Sequence, residues 1–377
     1  MKPKLPSLCI GLALLAGVHQ TNAQVTNLGI APVAGGQSLL YWPVSTTNYV
    51  LQTTPNLVPA NWVTASSAVT INAVVVPNSA PAGYFRLLAT TNTTAGMVLI
   101  PAGSFLMGNY LFYNSAANDP DITDANPMNI YVSAFYMDVN LVSSNQWWTV
   151  YSYATNHGYG FVNAGSGKAA THPVQTVDWY DCVKWCNARS VQAGLKPAYY
   201  RDAGFTHIYT NGEVTVYVNW AAKGYRLPTE AEWEKAARGG LSGQRFPWGN
   251  SISGSQANYY GDTASYSFDL GPNGFNPIGN YPTDSVGTSP VGSFPANSYG
   301  LYDMAGNVYE WCWDWYATPY GQPTTNNPTG PAGPLSYRVL RGGNWTYDAS
   351  VTRCAFRSYD IPGFAYDGEG FRCVRGF

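Results

Sequence analysis

Charge is what this chain has least of. Only 11% of its 377 residues are Asp, Glu, Lys or Arg, against about 25% in an ordinary soluble domain. Its 19 basic and 21 acidic residues nearly cancel. Nucleic-acid binding needs a basic surface that displaces counterions from phosphate, so that partner class is excluded. Histidine is equally scarce, at four in the whole sequence, and His157, His172 and His207 stand at no metal-ligand spacing. Long apolar runs are missing too. No stretch reaches the roughly 18 consecutive apolar residues of a membrane helix, which excludes a helical membrane span. The apolar run at residues 8–18 follows Lys2 and Lys4 and precedes Thr21-Asn22-Ala23, the pattern of a cleaved secretory leader. Residues 1–23 are therefore expected to be a signal peptide, and the mature protein to be secreted, periplasmic or extracellular. Of six cysteines, Cys9 lies in that leader. The remaining five are an odd number in a compartment that permits disulfides, so at least one is free or pairs between chains.

What the chain has in quantity is glycine (39), proline (26) and aromatic side chains (15%). Such a backbone turns often, which predicts short elements and long ordered loops. The run Thr90-Thr91-Asn92-Thr93-Thr94 reads as part of a linker over 90–96. Before it, residues 38–42, 49–52, 69–76 and 84–88 are β-branched or aromatic and separated by Pro, Asn and Gly, which predicts a small β domain over 24–89. After it, over 97–377, three helices are expected. One starts near Ser143 or Ser144 and carries Trp147, Trp148 and Tyr151. A second follows Asp178 as N-cap and stops at Gly194. A third is capped by Thr229 with Glu232 in a capping box, stops at Gly239-Gly240, and buries Trp233 and Ala236-Ala237. The loop bearing Asp119, Asp121 and Asp124 reads as a solvated acidic loop.

Five long segments, in order, then carry a resemblance: MVLIPAGSFLMGN from Met97, GYRLPTEAEWEKAARGG with FPWGN, SPVGSFPANSYGLYDMAGNVYEWCWDWY, RVLRGGNW, and GEGFRCVRGF. Together they resemble the formylglycine-generating enzyme (sulfatase-modifying factor) family. The resemblance implies an α+β fold of C-type-lectin-like type with little regular structure, preceded here by the small β domain. It also implies chemistry: the founding members oxidise a sulfatase cysteine with copper held by two cysteines just after the Arg-Gly-Gly turn. Paired thiolates suit Cu(I), a soft ion. Here that segment reads RGGNWTYDASVTRCAFRS and is shorter. Tyr347 stands on or beside the first copper cysteine, and the stretch around Thr352 offers no second one. A degenerate site near Asn344, Tyr347 and Thr352 is expected, with no catalytic residue and without copper.

The resemblance further implies calcium, a hard cation that takes 6–8 oxygens. Asp303 and Glu310 would supply side-chain oxygens, with Gly306 and Val308 giving carbonyls. A second site would use Asn258, the carbonyl of Tyr259, and Asp284. By resemblance Cys186 pairs with Cys373, and Cys312 with Cys354 is a looser suggestion; Cys182 and Cys186 lie one helical turn apart on one face and are not expected to pair with each other.

Two function classes follow. One is a calcium-stabilised, non-oxidase binding or scaffold domain that takes a protein, peptide or glycan ligand on Trp345, Tyr347, Asp348 and Tyr359. Rigid amphipathic side chains of this kind are common in recognition surfaces. The other is an enzyme of the same family with a non-standard active site, oxidising a protein cysteine or a related group.

Overall fold

The computed structural model describes the backbone of six strands within residues 29–89 and, from Gly96, residues 96–110, 119–280, 287–318 and 324–376. The expected leader and the Thr/Asn run at 90–94 lie outside the described residues, as does Asp284. The chain divides into two compact units, Met1–Ala95 and Gly96–Phe377.

The first unit holds two three-stranded antiparallel sheets. Gln37–Tyr41 pairs with Gly29–Val33 and Ala73–Pro77, and Tyr49–Thr54 pairs with Val63–Thr64 and Tyr84–Ala89. The middle strands carry Tyr41, Tyr49, Val50, Thr53 and Thr54, the residue types that favour a pleated surface.

In the second unit, local chemistry sets the three helices. Helix α1, Ser144–Thr155, starts where the Ser143 hydroxyl accepts from the Gln146 amide at 3.2 Å. Helix α2, Trp179–Gln192, starts where the Asp178 carboxylate accepts from the Asp181 amide at 2.6 Å, and the chain leaves it through Gly194 at φ 69°. Helix α3, Glu230–Ala237, has the full capping box of Thr229 and Glu232. Its expected apolar face understates it, because all eight of its residues are buried, Glu230, Glu234 and Lys235 included. Burying charge is tolerable only when it is paired. Glu234 accepts from Arg238 and Arg341, and Glu230 from Arg357 at 2.7 Å.

Two four-stranded sheets frame these helices. In one, Val374–Gly376 and Phe135–Asp138 lie side by side between Tyr225–Arg226 and Met97–Ile100, all antiparallel, so both ends of the unit share one sheet. In the other, Tyr309–Trp315 lies between Arg338–Arg341, which in turn pairs with Ser358–Asp360, and the parallel strand Glu369–Gly370. Aromatic side chains fill the space against α1 and α2: Trp147 and Trp185 stack at 5.8 Å, and Phe371 meets both edge-on. Elsewhere the backbone is held by side chains instead of ladders. Asp269 accepts from the Tyr259 hydroxyl and from the amides of Asp262 and Gly271. The acidic loop also differs from expectation. Asp119 is buried between Arg245 and Arg353, Asp121 pairs with Arg353, and Asp124 accepts from the Tyr316 hydroxyl. Among the described residues no helix is long and apolar enough to cross a membrane.

Candidate functional site

The segment after Arg341 turns through Gly342 and Gly343, both at positive φ (92° and 73°), and Gly342 lies where a Cβ would meet the Trp233 ring at 3.1 Å. Asn344 then turns inward. Its side-chain Oδ1 accepts from the Thr346 amide at 2.9 Å and hydroxyl at 2.7 Å, so it serves the turn and does not face solvent. Trp345 donates its amide to the Asn307 carbonyl, and its ring meets Phe275 at 5.8 Å. Tyr347 accepts the Tyr260 amide on its carbonyl, lies 6.0 Å from Tyr309, and is 49% exposed. Asp348 caps a short 3-10 helix, Ala349–Thr352, through the Ser350 amide at 2.8 Å. That helix withdraws Thr352, which is buried with its hydroxyl on the Ala349 carbonyl. Of the three positions expected to mark the old active site, only Tyr347 is displayed.

Tyr359 does not join this group of rings. Strand residues alternate between faces, and Tyr359 packs on Tyr316 (4.2 Å) and Tyr337 (4.8 Å), on the face opposite Ser358 and Asp360. Its place in the Trp345–Tyr347 group is taken by Tyr260, Phe275 and Tyr309, with Tyr260 and Phe275 edge-on at 5.0 Å. Beyond Tyr309 stands Glu369, its partner across the parallel pairing. Burial comes first, then the charge of Asp360 and a hydrogen bond shared with it; together they push Glu369 up to about 9. No spacing in the sequence announces that juxtaposition, since parallel pairing of Tyr309 with Glu369 depends on the intervening chain closing a large loop.

At the expected calcium loop the Asn258–Gly306 bridge is tight: a Cβ on Gly306 would lie 2.2 Å from the Asn258 carbonyl oxygen. Asp303 is buried, one oxygen accepting from the Gly292 amide at 2.7 Å and Oδ1 left without a hydrogen-bond partner. Burial pushes its carboxyl up to about 6. An orphaned carboxylate oxygen is a donor that suits a hard cation. Glu310 does not fit as expected, because both its oxygens accept from Arg372. The second set is divided. Asn258 donates to the Gly287 carbonyl and Tyr259 to Asp269, while their expected partner Asp284 lies outside the described residues.

All five described cysteines are buried. Sγ of Cys186 and Sγ of Cys373 stand 3.5 Å apart as thiols, from α2 and the segment before the last strand. Cys354 follows the 3-10 helix by two residues and is buried, with its thiol pushed up to about 12 by that burial, and none of the five described cysteines is exposed. His172 is buried with Nδ1 on the Thr288 hydroxyl, while His207 and His157 are exposed.

Residues 85–377 match the family of the sulfatase-modifying factor enzyme 1-like domain. A chaperone protein, LppX, of Paenibacillus barcinonensis is 32% identical over 79% of this chain and 96% of its own length. The formylglycine-generating enzyme of Mus musculus is 36% identical over 74% of both chains. Among solved structures, Treponema denticola variable protein 1 aligns with a TM-score of 0.56 at 27% identity, over 74% of this chain and 95% of that one. The fold is thus the C-type-lectin-like α+β fold of that group.

Proposed function

We propose, from the premise that this chain belongs to the sulfatase-modifying factor family, that it is an exported binding or scaffold protein which has given up cysteine oxidation. The observation that carries this reading is the exposed Tyr347 in a segment whose one thiol, Cys354, is buried and held protonated. A phenol is a poor Cu(I) ligand, and a soft-metal site needs paired thiolates. What the face offers instead is a rigid aromatic group of Tyr260, Phe275, Trp345 and Tyr347, suited to holding a protein, peptide or glycan. The name of the Paenibacillus relative, a chaperone, agrees with a holding function. Calcium, ligated by Asp303 with the carbonyls of Gly306 and Val308, would stabilise the loop beneath. Export follows from the leader pattern at residues 1–23.

The test is direct. Purified protein, supplied with copper and reductant, is incubated with a sulfatase-motif cysteine peptide and the peptide is weighed by mass spectrometry. No formylglycine is expected; time- and protein-dependent conversion would overturn the reading.

A further inference from the structure

The charge around this face narrows what it binds, on the premise that it is a binding face. Five glutamates are buried among the described residues, and four of them meet an arginine: Glu230 with Arg357, Glu232 with Arg226, Glu234 with Arg238, and Glu310 with Arg372. The fifth, Glu369, is 4% exposed and meets no cation; its Oε2 has no hydrogen-bond partner. Its carboxyl neighbour is Asp360, whose own Oδ1 accepts the Ile361 amide. Tyr347 packs on Tyr309, the strand partner of Glu369, and Asp348 and Cys182 lie within electrostatic reach of that pair. None of these groups is positively charged. The loop between Asp360 and Glu369 presents Phe364 and Tyr366, each about half exposed. Aromatic faces beside unanswered carboxyls attract a cation and repel an anion.

We infer that Glu369 and Asp360 receive a positively charged organic group of the ligand, an ammonium or guanidinium, while the ligand's apolar body lies on Tyr347. A cation arriving beside Glu369 favours its ionised form, and because Glu369 is protonated at neutral pH in the free protein, binding releases a proton. Affinity therefore rises with pH until Glu369 ionises unaided, near 9.

The full chain is titrated with benzyltrimethylammonium, whose charge is fixed, and with uncharged benzyl alcohol, using saturation-transfer NMR. The cation is expected to bind at least about tenfold more tightly, and to gain about tenfold between about pH 7 and about pH 8, as binding to an ionised group requires. Glu369→Gln should flatten that profile, and Asp360→Asn should displace it to lower pH by relieving the like charge. Equal binding of benzyl alcohol would overturn the charge preference and leave the aromatic binding face standing. Absent or pH-independent binding of the cation would also overturn it. Formylglycine production in the peptide assay would sink the parent reading by itself.

Discussion

The Arg372 guanidinium donates to both carboxylate oxygens of Glu310, from Nε at 2.7 Å and from Nη2 at 3.0 Å, with both side chains fully buried. Its remaining donors reach the carbonyls of Asp138, Val139 and Tyr302. One residue before Cys373 thus fastens the start of the Tyr309–Trp315 strand to the loops at 138–139 and 302–303. A protein side chain does here what a bound ion was expected to do for Glu310.

Breaking that pair on one side leaves a buried charge unanswered. Arg372→Met is expected to cost about 3–5 kcal/mol in urea unfolding, and the double variant Glu310→Met, Arg372→Met to recover much of it. A single variant as stable as the parent would show that water reaches Glu310.

Asp303 gives a pH signature. Its folded pKa, about 6, lies above the usual value of 3.8, so in calcium-free protein its stabilising contribution is complete below about pH 4 and lost as pH rises through about 6. Melting temperature should fall across that window under chelation and recover when calcium is returned. Asp303→Asn should remove the pH dependence, and Asp303→Ala the response to calcium. A melting curve indifferent to chelation at neutral pH would remove calcium from this loop.

The thiols of Cys186 and Cys373 are adjacent, and in an oxidising compartment they are expected to close. Non-reducing peptide mapping of exported protein should join them and leave Cys182 free. Reduction should then cost up to about 5 kcal/mol in the chain-entropy account, given the length of the closed loop. Recovery of both as free thiols from exported protein would refute the pairing.

Tyr347 and Tyr359 separate the two faces of one sheet. Tyr347→Ala should weaken benzyltrimethylammonium binding severalfold and change unfolding free energy by less than about 0.5–1 kcal/mol, since the ring is half exposed. Tyr359→Ala should leave binding unchanged. Equal losses in both would mean that the ligand reaches around the sheet edge.

Helix starts were legible in the sequence because their causes are local. Ser143, Asp178 and Thr229 each cap through the amide of the third residue that follows, and Gly194 and Gly239 take the left-handed backbone that ends one. Four of the six strands described within residues 29–89 fall on the β-branched and aromatic runs read there, while Gly29–Val33 and Val63–Thr64 do not. That the segment after Arg341-Gly342-Gly343 carries one cysteine, Cys354, and no pair was likewise a matter of reading residues, and it carries the functional reading.

The tertiary structure decided what any carboxylate or aromatic ring meets. Nothing near Glu310 in sequence says that Arg372 will neutralise it, nor does anything near Asp119 point to Arg353. That Ser358–Asp360 form a strand, and which way Tyr359 faces, depends on the sheet into which those residues pair. The sequence determined that this is a member of its family with no copper thiols, because composition and short-range capping are properties of neighbours along the chain. Whether a buried carboxyl is met by an arginine or by no cation, as for Glu310 and Glu369, was settled by which distant segments the fold packs against it, since desolvation and Coulomb attraction act through space.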